Sequence, residues 1–200
     1  MNFLTLIAFV RHGSTYWNKE RRMQGHAHNP LDEEGFAQAR LLAERLGKER
    51  WDVLYASDLL RARQTAECVL EKLPLAEIRY DERLREMDRG GAQGTTEEER
   101  IARWGADWRT VAPGVESDAQ GTDRGGSFAR DVTAMHPGQR ILAISHGMII
   151  RNTLRGLLPD FHTEPALNNT SITIVRWTGD RWACELYNCT KHLPVQGSEG

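Results

Sequence analysis

Long apolar runs are missing from this 200-residue chain. The N-terminal run Leu4 to Val10 falls far short of the roughly 20 residues that a membrane-spanning helix needs. Arg11 and His12 follow it directly, with no small-residue cleavage signature, so neither a signal peptide nor a membrane anchor is expected. An excess of positive charge is missing too. With 26 Lys and Arg against 28 Asp and Glu, the net charge of −2 argues against a general nucleic-acid binder. Cysteine is scarce: Cys68, Cys184 and Cys189 form no CxxC pair and leave an odd count, which points to free thiols in a reducing, cytoplasmic setting. No solenoid repeat and no low-complexity tract interrupts the chain. A homodimer is left open.

What is present is a parallel α/β grammar. Leu4 to Val10 reads as a buried strand. Asp32 stands where it caps a helix starting at Glu33-Glu34, with Ala37, Ala39, Leu42, Ala43 and Leu46 at helical spacing and Gly47 as its stop. Trp51 to Ala56 is a second strand. Ser57-Asp58 is placed to cap the next helix, which carries Leu59, Leu60, Ala62, Ala66, Val69 and Leu70 as far as Pro74. Strand alternating with helix predicts one α/β domain over 1–200, a mainly parallel sheet with helices on both faces. Ile78 to Tyr80 reads as a short strand, Thr95 to Arg109 as a helix, and Phe128 to Met135 as a short helix. Gly114 to Ser127, rich in Gly, Asp and Ser, resists assignment, a mobile loop over the site being one option, and 87–139 reads as a cap over the site. Ile141 to Ser145 is another strand, followed by a helix from about Met148 to Leu157. Ser171 to Trp177 and Trp182 to Leu186 form a terminal antiparallel hairpin. Residues 195–200 read as a frayed tail.

Two strands end in the same way, in Arg11-His12-Gly13 and in Ser145-His146-Gly147. Ligands in open α/β sheets bind beyond the carboxyl ends of the strands, and Gly13 suits a sharp turn and a close approach of backbone to ligand. His26-Ala27-His28 is too short a pair, without carboxylate or Cys partners, to make a metal site. A solvated or rim position suits it better, and Trp104 and Trp108 suit packing. No cofactor and no metal is expected.

The ordered blocks Arg11-His12-Gly13-Ser14-Thr15-x-x-Asn18, Arg22-Met23-Gln24-Gly25, Asn29-Pro30-Leu31, Ser57-Asp58-Leu59-x-Arg61-Ala62-x-x-Thr65-Ala66, Leu84-Arg85-Glu86 and Ser145-His146-Gly147 together resemble the histidine phosphatase superfamily, also called phosphoglycerate-mutase-like. Asn169-Thr170-Ser171 and Asn188-x-x-x-His192-Leu193 extend the resemblance over nearly the whole chain. It implies that His12 attacks a small phosphomonoester to give a phosphohistidine, which water then hydrolyses. Arg11 and Arg61 would grip the phosphoryl oxygens and keep His12 unprotonated. His146, cationic while phosphate is bound, would add a third donor. Glu86 would protonate the leaving oxygen and later activate water. Asn18, Gln24, Gly25 and Gly147 would contact the phosphate or the attacking water. The activity so implied is that of a metal-independent, histidine acid-type phosphatase. The rivals are a cofactor-dependent phosphoglycerate mutase and a non-catalytic phospho-ligand binder. Gly90-Gly91-Ala92-Gln93-Gly94 resembles the mutase branch, whereas Arg22 to Gly25 and Asn29 to Leu31 resemble the phosphatase branch.

Overall fold

A computed structural model of the chain describes residues 4–194, so the expected tail at 195–200 lies outside the described residues. Strand β1 (Thr5–Arg11) leads into the short α1 (Tyr16–Lys19), α2 (Glu33–Leu46), β2 (Val53–Ala56), α3 (Leu60–Leu70) and the two-residue β3 (Arg79–Tyr80). Then come α4 (Glu97–Trp104), α5 (Trp108–Val111), α6 (Asp118–Met135), β4 (Arg140–Ser145), α7 (Gly147–Leu157), and the hairpin β5 (Ile172–Trp177) and β6 (Trp182–Cys189). One six-stranded sheet has the order β3-β2-β4-β1-β5-β6. β1, β2, β3 and β4 pair in parallel, while β5 and β6 are antiparallel. Among the described residues no helix is long and apolar enough to cross a membrane.

Alternation along β1 explains the two layers. Ile7 and Phe9 face α6 and α7, packing with Phe128, Ala129, Val132, Ile150 and Leu154. Ala8 and Val10 face α2 and α3, packing with Leu42, Leu46, Ala62, Ala66 and Val69. Burying each large side chain of this kind contributes roughly 1.5–3 kcal/mol.

Several boundaries differ from the sequence pattern. The residue capping α3 is Leu59, which makes no side-chain cap bond, and the helix ends at Leu70, ahead of Pro74. Ser57 and Asp58 are used elsewhere: Ser57 meets His146, and Asp58 pairs with Arg85. The helix expected from Thr95 to Arg109 is split at Gly105, whose φ of +77° breaks α4 from α5. The main difference lies in Gly114 to Ser127, which the pattern leaves unassigned with a mobile loop as one option. From Asp118 it is the first half of α6, opened by a capping box between Ser117 and Gln120. Two of its glycines, Gly121 and Gly125, serve close packing rather than chain flexibility. A Cβ on Gly121 would sit 2.3 Å from Met87 Sδ, and one on Gly125 would sit 1.9 Å from Thr153 Oγ1 of α7.

Candidate active site

The parallel register builds the site. Arg11 lies opposite Ser145, so β1 and β4 end level with each other. The His12 amide donates to the Ser145 carbonyl at 3.0 Å. The two imidazoles that follow have ring centroids 5.1 Å apart, and both are buried. Gly13 has no positive φ; its lack of a side chain matters because a Cβ there would lie 2.6 Å from the Gly35 carbonyl oxygen. The contact fixes the loop after β1 against the start of α2. Buried Asp32 completes that join, accepting from the Ser14 hydroxyl (3.0 Å), the Gly35 amide (2.7 Å) and Lys19 Nζ (2.9 Å).

His12 is oriented by its neighbour. Its Nδ1 lies 2.7 Å from the Gly13 carbonyl oxygen, which accepts a proton and nothing else, so Nδ1 carries the hydrogen. Nε2 therefore presents a lone pair, and Arg61 Nε points at it from 3.3 Å. Burial, and then the charges on Arg61 and Arg11, push His12 well below its ordinary pKa of 6.5. His146 is pushed in the same direction by burial, Arg61, His12 and Arg11. Both shifts favour the neutral rings.

Arg61, on the first turn of α3, is fully buried. It is pinned by the carbonyls of Gly25 (2.8 Å) and Ala27 (3.1 Å). Burial lowers its pKa to about 10, with Glu86 opposing that shift. Arg11 donates through Nη1 to the Leu167 carbonyl. Its Nε is buried without a partner, and so is Nδ1 of His146. Buried polar atoms are nearly always satisfied, so these two unpartnered atoms, on side chains adjoining His12, are available to bind a polar ligand.

Glu86 reaches the site from a loop after a short 3-10 turn (Glu82–Leu84). Its carboxylate accepts from the amides of Met87 (2.9 Å), Ile149 (3.0 Å) and Met148 (3.3 Å). It thereby caps α7, for which the N-cap residue His146 supplies no side-chain bond. His26 holds the same loop, with Nε2 at 2.8 Å from the Glu86 carbonyl oxygen.

The remaining expected residues fall around this centre in different ways. Gly25 has a φ of +50° and offers its carbonyl to Arg61. Buried Gln24 accepts from Asn29 through Oε1 at 3.4 Å. Asn18 closes a capping box with Thr15, so its Oδ1 is occupied; only its NH₂ is left to donate. Gly147 opens α7, and a Cβ there would merely touch Arg11 at 3.6 Å. Three contributors were not singled out in the sequence: Thr65, whose hydroxyl accepts from the Gly13 amide (3.1 Å), Asn169, which donates to the His12 carbonyl (3.0 Å), and Ser57. All three stand inside the motif blocks, which is the signal that could have marked them. Beside the centre lies a cavity of about 630 Å³ walled by His26, Arg85, Asp88, Glu116 and Arg124. Its arginines are tied to Asp58 and Glu116. Among the described residues no group of three His, Cys, Asp or Glu side chains is placed to hold a metal ion.

Comparison with known proteins identifies relatives of the chain. Residues 7–190 match the histidine phosphatase superfamily (branch 1). The chain is 33% identical over 202 residues to phosphoglycerate mutase-like protein 4 of Arabidopsis thaliana, covering 96% of this chain and 88% of that one. It is 30% identical over 204 residues to the metal-independent phosphoserine phosphatase of Arabidopsis thaliana, covering 97% and 85%. Its structure is similar to that of a mycobacterial glucosyl-3-phosphoglycerate phosphatase in complex with VO3. There the TM-score is 0.82 and the identity 30%, with 92% of this chain and 98% of that chain covered.

Proposed function

The chain belongs to the histidine phosphatase superfamily, and from that premise we propose that it is a metal-independent phosphatase of small phosphomonoesters, working through a phosphohistidine on His12. One observation carries this reading: two buried, unpartnered polar atoms, Arg11 Nε and His146 Nδ1, belong to side chains next to His12, whose Nε2 lone pair meets only Arg61 Nε. A phosphoryl group at that point satisfies both donors and faces the nucleophile. Positioning and charge stabilisation are most of what phosphoryl transfer requires.

In the proposed reaction His12 Nε2 attacks phosphorus, the bond to the ester oxygen breaks, and that oxygen takes a proton from Glu86. Water then gives a proton to Glu86 and attacks phosphorus, the P–N bond breaks, and phosphate leaves. Arg11 and Arg61 supply the positive charge that a metal ion supplies elsewhere. We read the chain as one catalytic domain, with its cap narrowed to 87–117, because Phe128, Ala129 and Val132 of α6 belong to the core under the sheet.

The mutase reading is favoured by one relative's name and by Gly90 to Gly94; the phosphatase reading is favoured by the names of the other two proteins compared. Quenching without acid during turnover is expected to trap phosphate on the protein, labile to acid and stable to base, and His12→Ala to abolish both label and activity. An active but unlabelled enzyme would refute the mechanism. Supplied with 3-phosphoglycerate and a bisphosphoglycerate primer, the enzyme is expected to release phosphate or do nothing. Isomer interconversion faster than phosphate release would assign it to the mutases.

A further inference from the structure

Ser57 is fully buried at the end of β2, its amide held by the Ile144 carbonyl at 2.9 Å. Its hydroxyl has two neighbours. The Leu59 amide donates to Oγ at 3.3 Å, and His146 Nε2 lies 2.8 Å from Oγ. Among the described residues Oγ has no other hydrogen-bond partner. A hydroxyl has one proton to give, and an amide nitrogen does not accept it, so Nε2 is where it goes. The reverse arrangement, with Nε2–H donating to Ser57, leaves the hydroxyl proton buried and unpaired, which costs about 1–3 kcal/mol. It also turns a bare Nδ1 lone pair toward the place where a phosphoryl oxygen would sit.

We infer that Ser57 is a positioning residue that fixes His146 in the neutral Nδ1–H form, so that the orphaned Nδ1 enters the reaction as a ready hydrogen-bond donor to the transferring phosphoryl group. This rests on the phosphatase reading for its substrate, but the tautomer does not. It departs from the expectation of a cationic His146. The charged and titratable groups that act on the ring are Arg11 at the end of β1, His12 just after it, Arg61 from α3 and His26 from the loop before α2, while Glu86 sits at the start of α7, bonded to the Ile149 amide. With both arginines present, a neutral donor adds orientation without a third positive charge. The sequence pattern places this serine as a helix cap; its part in the site depends on β2 and β4 lying side by side.

The test has two arms. Nitrogen NMR of histidine-labelled wild-type protein, without ligand at pH 8, is expected to place the His146 proton on Nδ1, with Nε2 accepting. A proton on Nε2 would overturn the inference whatever the enzyme does. In the second arm, p-nitrophenyl phosphate turnover is compared between wild type and Ser57→Ala. At pH 8 the variant is expected to lose about 10²-fold in kcat/KM, the scale for one oxyanion donor. In the nitrogen NMR of Ser57→Ala the His146 proton is expected to redistribute between Nδ1 and Nε2 once the hydroxyl donor is gone. A proton that stays wholly on Nδ1 in the variant would mean that Ser57 is only structural. If Ser57→Ala does not fold, the wild-type tautomer alone decides. Absence of turnover in the wild type would count against the phosphatase reading and leave the tautomer result standing.

Discussion

Replacing Gly125 with alanine separates a packed α6 from a mobile loop, because the two cases predict opposite signs. In a solvated helix or loop, Gly→Ala is neutral or stabilises by up to about 1 kcal/mol. In this fold the new methyl would sit 1.9 Å from Thr153 Oγ1 and 3.0 Å from Thr153 Cβ. That hydroxyl cannot move freely, since it donates to the Ile149 carbonyl at 2.8 Å in a buried setting. Overpacking costs about 1–3 kcal/mol, and unpairing a buried hydroxyl can add a similar amount. Set against the helix gain, the net loss is about 2 kcal/mol, or about 4–8 °C in Tm for a domain of this size. Gly126 is the internal control. Its Cβ would meet only the flexible tip of Arg130, at 3.0 Å, so Gly126→Ala is expected to hold or raise Tm. Thr153→Ala in the Gly125→Ala background is expected to recover most of the loss through coupling between touching residues. The assay is thermal and urea unfolding of the four proteins side by side. A Gly125→Ala Tm equal to or above wild type would refute the packing argument.

Arg61→Ala is expected to slow turnover by about 10²-fold or more, the scale for one preorganised charge donor, while wild-type activity survives exhaustive chelation. Loss of activity with EDTA that a divalent ion restores would contradict the metal-independent reading. Glu86→Gln is expected to harm hydrolysis of an alkyl phosphate far more than that of p-nitrophenyl phosphate, since a poor leaving group needs the acid most; equal damage would move the acid role to another residue. Stability is expected to fall as pH drops below 6.5. His12 and His146 are held below that value by burial and His192 at about 4 by burial and Arg45, so the unfolded chain binds the extra protons. Each buried ring adds a slope of up to about 1.4 kcal/mol per pH unit. Melting curves that stay level from pH 7 to pH 5 would show that these histidines are protonated in the fold.

The order of strands and helices was legible in the sequence because it depends on local periodicity: Ile7 to Val10 alternate between two cores, and Leu42, Ala43 and Leu46 recur at helical spacing. The motif blocks likewise marked His12, Arg11, Arg61, Glu86 and His146. What one-dimensional pattern could not decide was anything that depends on two distant segments touching. Glycine carries the same letter whether it loosens a loop or admits a neighbouring helix, so the first half of α6 stayed unassigned until Thr153 and Met87 lay against it. Gly13 was credited with a turn, whereas its need comes from Gly35. Ser57 looked like a cap from its place before a helix, and only the pairing of β2 with β4 brings it to His146. Local pattern sets which elements form. Which atoms meet, and hence where each proton sits, is settled by packing between segments far apart in the chain, because hydrogen bonds and steric contacts act over a few ångströms.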